Sequence, residues 1–225
     1  MLEAERLQEE LSEWRRKLHQ IPEIGLTLPK TVAFVTKKLD EMDIKYTVYE
    51  DSSNIVACIG EGDTCYMIRG DMDGLPITEQ SQEPFASANG HMHACGHDLH
   101  AAMMLGAAKL VKAHESELYG VAKLFFQSGE EIFAGARALI QAGAMENPHV
   151  DAGMALHVFS QKPLGTLGGH TNPCAGAYGF RIKLTGKGVH GSSPEDGIDP
   201  INTAVHIHQG LQELIAREIS GFDEV

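Results

Sequence analysis

The sequence predicts an α/β protein built on a central, mostly parallel sheet flanked by helices, and three observations carry that prediction. Short runs rich in β-branched and aromatic residues alternate with longer amphipathic stretches along most of the chain. The run Val121–Gln127 is nearly continuous in apolar residues, as in a strand buried on both faces. Gly, Asn, Asp and Ser punctuate each change of period. Towards the C-terminus a shift in composition predicts the opening of a second, α+β domain, dividing the chain into 1–173 and 174–225.

The elements follow in order. Leu7, Leu11, Trp14 and Leu18 share one face of a single amphipathic helix that Pro22 ends. Pro29 suits the first turn of a second helix, which buries Val32, Val35 and Leu39. The segments 44–49, 54–60 and 65–69 read as strands. Asp98 is the expected N-cap of a helix reaching His114. A strand over 121–127, a helix over 134–143 and a strand over 152–159 come next, both strands having the apolar character of central positions. The stretch GTLGGHTNPCAGA reads as a linker, followed by a half-exposed strand over 178–186 with Phe180, Ile182 and Leu184 on one face. The turn KGVHGSSPEDG then leads into a helix over 200–219.

Composition narrows the function classes. The 225 residues hold 18 Lys and Arg against 31 Asp and Glu, a formal charge of −13, which argues against nucleic acid as the main partner. No basic cluster suggests a membrane surface, and the charged N-terminus lacks the apolar core of a secretion signal. Four cysteines without a CxxC pair read as free thiols, and Cys58 and Cys65 as core residues; a cytoplasmic location is the expectation.

Four features carry chemistry. Four of the twelve histidines fall in the segment His91–His100, where Cys95 and His97 stand two apart in a Gly-containing loop before a helix. Cys and His together suit zinc or a similar divalent ion, although a solvated His-rich loop would look the same locally. Glu130 and Glu131 follow the buried strand directly. One could bind metal while its neighbour takes a proton, and a charged helix N-terminus would equally explain the pair. His157 ends an apolar strand, where a satisfied core histidine is the commoner outcome. Asp71 and Asp73 end another, and could orient a ligand histidine or simply stop the strand. Each feature is modest alone. Their convergence on the carboxyl ends of strands is the pattern of a metal site.

Six motifs in order resemble the aminoacylase/carboxypeptidase family of metal-dependent peptidases: HQIPEIG, RGDMDGLPITE, GHMHACGHDLHAAMMLGAA, SGEE, ALHV and GKGVHGSSPEDGIDPI. Within it the chain is most similar to the amidohydrolase branch of hippurate hydrolases, N-acyl-amino-acid amidohydrolases and auxin-conjugate hydrolases. The resemblance implies a zinc-peptidase-like catalytic domain followed by the start of a lid and dimerisation domain. It implies two divalent ions (zinc, manganese, cobalt or nickel) held by Cys95, His97, Glu131 and His157. Glu130 is then the general base, Asp73 a support behind the ligands, and His190 a lid residue stabilising the oxyanion in a homodimer partner. The implied substrate is an N-acyl amino acid or small peptide, cleaved at its amide bond.

The resemblance covers the first half of a family member. A final ligand histidine and half of the lid would lie further on, and His206 and His208 do not replace that ligand. The segment CAGAYGF departs from the small-residue run and Asp usual in relatives, and Val189 stands where Gly is common. A truncated chain that binds metal without turnover is therefore the alternative expectation.

Overall fold

The computed structural model describes residues 2–169 and 179–220. They divide into two compact units, Met1–Gln161 and Lys162–Val225. The expected boundary between 173 and 174, most of the linker and the start of CAGAYGF lie outside the described residues.

The first unit contains α1 (Leu2–Arg6), α2 (Gln8–His19), α3 (Pro29–Glu41), β1 (Lys45–Tyr49), β2 (Asn54–Ile59), β3 (Cys65–Asp71), α4 (His97–Ala113), β4 (Val121–Gln127), α5 (Gly135–Gln141) and β5 (Ala152–Ala155). The five strands form one sheet in the order β1-β2-β4-β3-β5. β3 pairs in parallel with β4 and with β5, whereas β2 is antiparallel to both its neighbours. Four strands therefore share one direction, and β2 alone runs against them.

Side chains alternate across the sheet with the period of two that pleating imposes. Ile55, Ala57, Ile59, Leu124 and Phe126 face a core completed by Trp14, Leu18, Val35, Leu39, Met104 and Leu105. Val56 and Phe125 face the opposite side, against Leu139 and Ala144. Helices thus cover both faces of β2 and β4, so β4 is as buried as its apolar run predicts.

Several elements differ from the sequence-based expectation. The first helix is two: Leu7 N–H donates to Ala4 O at 3.1 Å, a tightened turn that interrupts the ladder between α1 and α2. Asp98 does not cap α4. Gly96 does, at φ +88°, which leaves Asp98 inside the first turn and buried. β5 is an exposed edge strand rather than a central one, and it stops at Ala155. It pairs with β3 on one side only among the described residues. Half of the Met154 surface is open accordingly.

In the second unit, residues 179–186 form no ladder, and Tyr178 lies outside the described residues. A strand needs a partner for its N–H and C=O groups, and none of the described residues supplies one there. The unit retains an isolated bridge between Lys187 and Ile198, with two hydrogen bonds of 3.1 Å, and α6 (Pro200–Arg217). Asp199 caps α6 by accepting from Ile201 N–H at 2.8 Å and Asn202 N–H at 3.3 Å. Asp199→Ala should cost the helix about 1 kcal/mol. Hydrogen exchange at those two amides measures it, and unchanged protection would refute the cap. No described helix is long and apolar enough to cross a membrane.

Candidate metal centre

Parallel register brings the functional segments together. Arg69 lies opposite both Phe125 and Ala155, and Asp71 opposite Gln127. The chain leaving β3 at Asp71–Asp73, β4 at Ser128–Glu131 and β5 at Leu156–Val158 therefore emerges at one edge. This is the carboxyl edge, where open α/β sheets bind ligands. The fourth contributor is the segment before α4, which ends the long loop 72–96; a bridge between Leu75 and Met92 closes that loop at its base.

Each segment is fixed from behind. A side chain at Gly96 would place Cβ 2.6 Å from Val158 Cγ2, so glycine is required between Cys95 and His97. Ser128 N–H donates to Asn54 Oδ1 at 2.7 Å, and its hydroxyl donates to Ser52 O. Asn54 also donates to Ser52 Oγ at 2.8 Å. Because β2 runs against β4, its first residue lies at the edge where β4 ends, within reach of the SGEE turn.

Asp73 holds the glutamate pair. Its Oδ1 accepts from Glu130 N–H at 3.0 Å and its Oδ2 from Glu131 N–H at 3.1 Å. Its backbone carbonyl accepts from His97 Nδ1–H at 2.8 Å. That bond puts the lone pair on His97 Nε2, which stands 3.5 Å from Asp71 Oδ1. Nε2 is fully buried and has no hydrogen-bond partner among the described residues, and the same holds for Glu131 Oε1. Two orphaned buried acceptors at one point call for a cation.

The structure brings Cys95, His97, Glu130, Glu131 and His157 together. Ligand-capable atoms of Cys95, His97 and His157 lie within 4.8 Å of one another, as do those of His97, Glu130 and Glu131. The two sets share His97. Cys95 Sγ is 3.3 Å from His157 Nε2, and His157 Nδ1–H donates to Val158 O at 2.7 Å. Burial, and then the charges of Glu131, Glu130 and Asp71, push the Cys95 thiol up to about 11. Burial likewise raises Glu131. A divalent ion reverses that field and favours thiolate and carboxylate, so this donor set of sulfur, nitrogen and oxygen fits such an ion. Asp73→Asn would turn an amide N–H₂ towards a backbone donor. It is expected to weaken zinc binding roughly 10- to 100-fold, read by calorimetric titration; unchanged affinity would mean the loop is held otherwise.

His190 belongs to the second unit, where its exposed ring accepts from Ser192 N–H at 3.2 Å and pairs with Ser192 Oγ at 2.8 Å. His206 and His208 lie exposed on α6. Within the His-rich loop, His93 is buried, and that burial lowers it to about 4, so it is neutral. Three supporting residues escaped sequence reasoning. Asn54, His100 and His19 contact the site or its loop across long sequence separations; no local spacing marks Asn54 or His19, and the histidine cluster marks His100 without revealing its partners. His19 Nδ1 meets Asp98 Oδ2 at 2.8 Å and its Nε2 meets Glu79 Oε1 at 3.0 Å, while Arg15 Nε meets Asp98 Oδ2 at 2.7 Å. This buried knot ties α2 to the loop and to the residue after His97.

Comparisons with known proteins show what the chain is similar to. Residues 67–212 match the model of peptidase family M20/M25/M40. The chain is 39% identical over 212 residues to an IAA-amino acid hydrolase (ILR1-like 4) of Arabidopsis thaliana, covering 93% of this chain and 48% of that protein. It is 38% identical over 218 residues to the N-acetyl-L-cysteine deacetylase of Bacillus subtilis strain 168, covering 95% and 52%. Among solved structures it resembles the Bacillus subtilis YXEP protein, described as a dinuclear metal binding peptidase from the M20 family. That match has TM-score 0.71 and 36% identity, and covers 76% of this chain and 48% of that one. A putative aminohydrolase from methicillin-resistant Staphylococcus aureus superposes with TM-score 0.77 at 29% identity, over 97% of this chain and 59% of that one. The chain spans about half the length of the curated relatives it matches.

Proposed function

The chain belongs to peptidase family M20/M25/M40, and we propose that it carries the metal-binding part of an amidohydrolase that cleaves the amide bond of N-acyl amino acids or small peptides. The observation that carries this reading is the shared His97: its buried Nε2 has no described hydrogen-bond partner, and His97 belongs to both a Cys95/His157 set and a Glu130/Glu131 set. Hydrolysis of N-acyl amino acids is supported by relatives named as an N-acetyl-L-cysteine deacetylase and an N-acyl-L-amino acid amidohydrolase.

In this reading Cys95, His97, Glu131 and His157 are ligands to two divalent ions of zinc, manganese, cobalt or nickel. Such ions, when bound, supply Lewis acidity to the amide carbonyl and to the attacking water. Glu130 takes the proton from that water as its oxygen bonds to the carbonyl carbon. It then delivers the proton to the amine nitrogen as the C–N bond breaks. Asp73 keeps both glutamate backbones in register, and the His97 tautomer is set by the Asp73 carbonyl. His190, from a lid spanning 174–225 in a homodimer partner, stabilises the developing oxyanion. The free thiols of Cys58, Cys65 and Cys95 favour a reducing compartment such as the cytoplasm.

The test is metal analysis of the 225-residue chain, followed by assay on N-acetyl-L-cysteine and other N-acyl amino acids. Bound divalent metal with release of free amino acid is the expected result. Because the chain spans half of its relatives, the assay is repeated with the remaining half of a relative supplied. Metal binding with no turnover in either arm favours an inactive metal-binding fragment, and absence of metal binding refutes both readings.

A further inference from the structure

His100 is fully buried at the centre of the candidate site, and geometry alone makes it look like a ligand. Atoms of Asp71, His97 and His100 lie within 4.8 Å of one another, as close as the other two sets. Its hydrogen bonds exclude that role. Val158 N–H can only donate, and it donates to His100 Nε2 at 3.0 Å, so that nitrogen carries no proton. The proton is therefore on Nδ1, which donates to Asp71 Oδ1 at 2.5 Å. The other Asp71 oxygen meets Arg69 Nη1 at 2.7 Å, and Arg69 Nε donates to Gln127 Oε1 at 2.9 Å. Both His100 nitrogens are thus hydrogen-bonded, and the Asp71 carboxylate is shared between His100 and the Arg69 ion pair.

The peptide that His100 grips is the one leaving His157. Val158 gives its N–H to His100 and takes a hydrogen bond from His157 Nδ1–H on its own carbonyl at 2.7 Å. The His157 ring is thereby turned so that Nε2 meets Cys95 Sγ at 3.3 Å. The His100 ring also stands edge-on to His157, with centroids 4.6 Å apart, and blocks rotation in that direction. A continuous path runs from Arg69 at the end of β3, through Asp71 and the first turn of α4, to the backbone beyond β5.

We propose that His100 is a positioning residue: through the Val158 peptide it aims His157 at Cys95, and by occupying Asp71 it keeps that carboxylate out of the metal's ligand set. This inference rests on the reading of Cys95 and His157 as ligands to one ion. Losing the acceptor for Val158 N–H would strand a donor, and the Val158 backbone would turn to satisfy it, displacing the Val158 carbonyl that holds the His157 ring. Partners that orient a ligand from behind in this way are typically worth about 10- to 100-fold in metal affinity.

Two isosteres separate the halves of the role. In His100→Gln the amide oxygen reaches the place of Nε2 and accepts from Val158, whereas in His100→Asn the amide reaches only the place of Nδ1 and Asp71. Cobalt(II) is titrated into the 225-residue chain, and the thiolate-to-cobalt band reports Cys95 ligation. The expected result is affinity about 10- to 100-fold weaker in His100→Asn, and within about threefold of the wild type in His100→Gln. Equal affinity in all three chains, or equal weakening in both variants, overturns the proposal while leaving the ligand reading intact. A wild-type chain without a band that Cys95→Ser removes overturns the ligand reading itself. Should a variant not fold, imidazole nitrogen NMR on the wild-type chain decides: a proton on Nδ1 of both His100 and His157 is expected, and a proton on His100 Nε2 refutes the proposal.

Discussion

Glu130→Gln should lower hydrolysis of an N-acyl amino acid by about a thousandfold, in whichever assembly supports turnover, while the metal content stays at the wild-type level. The amide has the shape of the carboxylate but cannot take a proton from water. Nothing else in the site needs to move, because Asp73 holds position 130 through its backbone N–H at 3.0 Å and not through its side chain. Steady-state kinetics and elemental analysis on the same preparation read both quantities. Glu130 also belongs to one of the close ligand-capable sets. Loss of metal together with activity would therefore assign Glu130 as a ligand and refute its role as the base.

Asp98→Ala is expected to destabilise the first unit by about 3 kcal/mol, because it leaves a half-buried guanidinium and a buried imidazole without their shared partner. Asp98 and His19 are almost wholly buried, and Arg15 is partly covered. Urea unfolding of wild type and variant measures the difference, and a loss below about 1 kcal/mol would show that water replaces the carboxylate. The knot also has a pH signature. The Asp98 hydrogen bond, opposed by burial and aided by Glu79, raises His19 above its ordinary 6.5. Its stabilisation is complete below 6.5 and is lost as pH rises through the raised value. Burial pushes Asp98 up, but the His19 hydrogen bond and the charges of Arg15 and His19 outweigh it, so Asp98 lies below its ordinary 3.8. That contribution is present above 3.8 and fades as pH falls through the lowered value. Wild type should therefore lose stability on the alkaline side of 6.5, and the variant should lose less there. Parallel alkaline slopes in the two proteins would exclude the knot as the source.

What could be read from the sequence was local. The apolar run of β4, the Cys and His two apart in a glycine loop, and two glutamates after a strand each declare themselves within a few residues. The parallel direction of β3, β4 and β5 follows from helices and long connections between them, and it alone brings four strand-end motifs to one edge. What could not be read depended on partners far along the chain. Asn54 meets Ser128, and His19 meets Asp98 and Glu79, through folds that no spacing announces. Clustering of histidines identified the loop but not which rings point inward, since His97 offers a free nitrogen, His93 is buried neutral and His100 spends both nitrogens on neighbours. Asp98 resembled a cap because Asp often is one. Gly96, able to take a left-handed conformation, occupied that position and released Asp98 for the knot with α2.

The strand order has a consequence in time. β3 and β4 lie side by side, yet the long loop and all of α4 separate them in the chain, and β2 reaches β4 only by passing over β3 in sequence. Closing such contacts is slow, because the chain must surrender its freedom before the pairing rewards it. The edge that carries Asp73, Cys95, Glu131 and His157 does not exist until that closure is complete. An ion held by all of these side chains must wait for that closure, so full metal uptake during refolding is expected to follow sheet assembly and never to precede it.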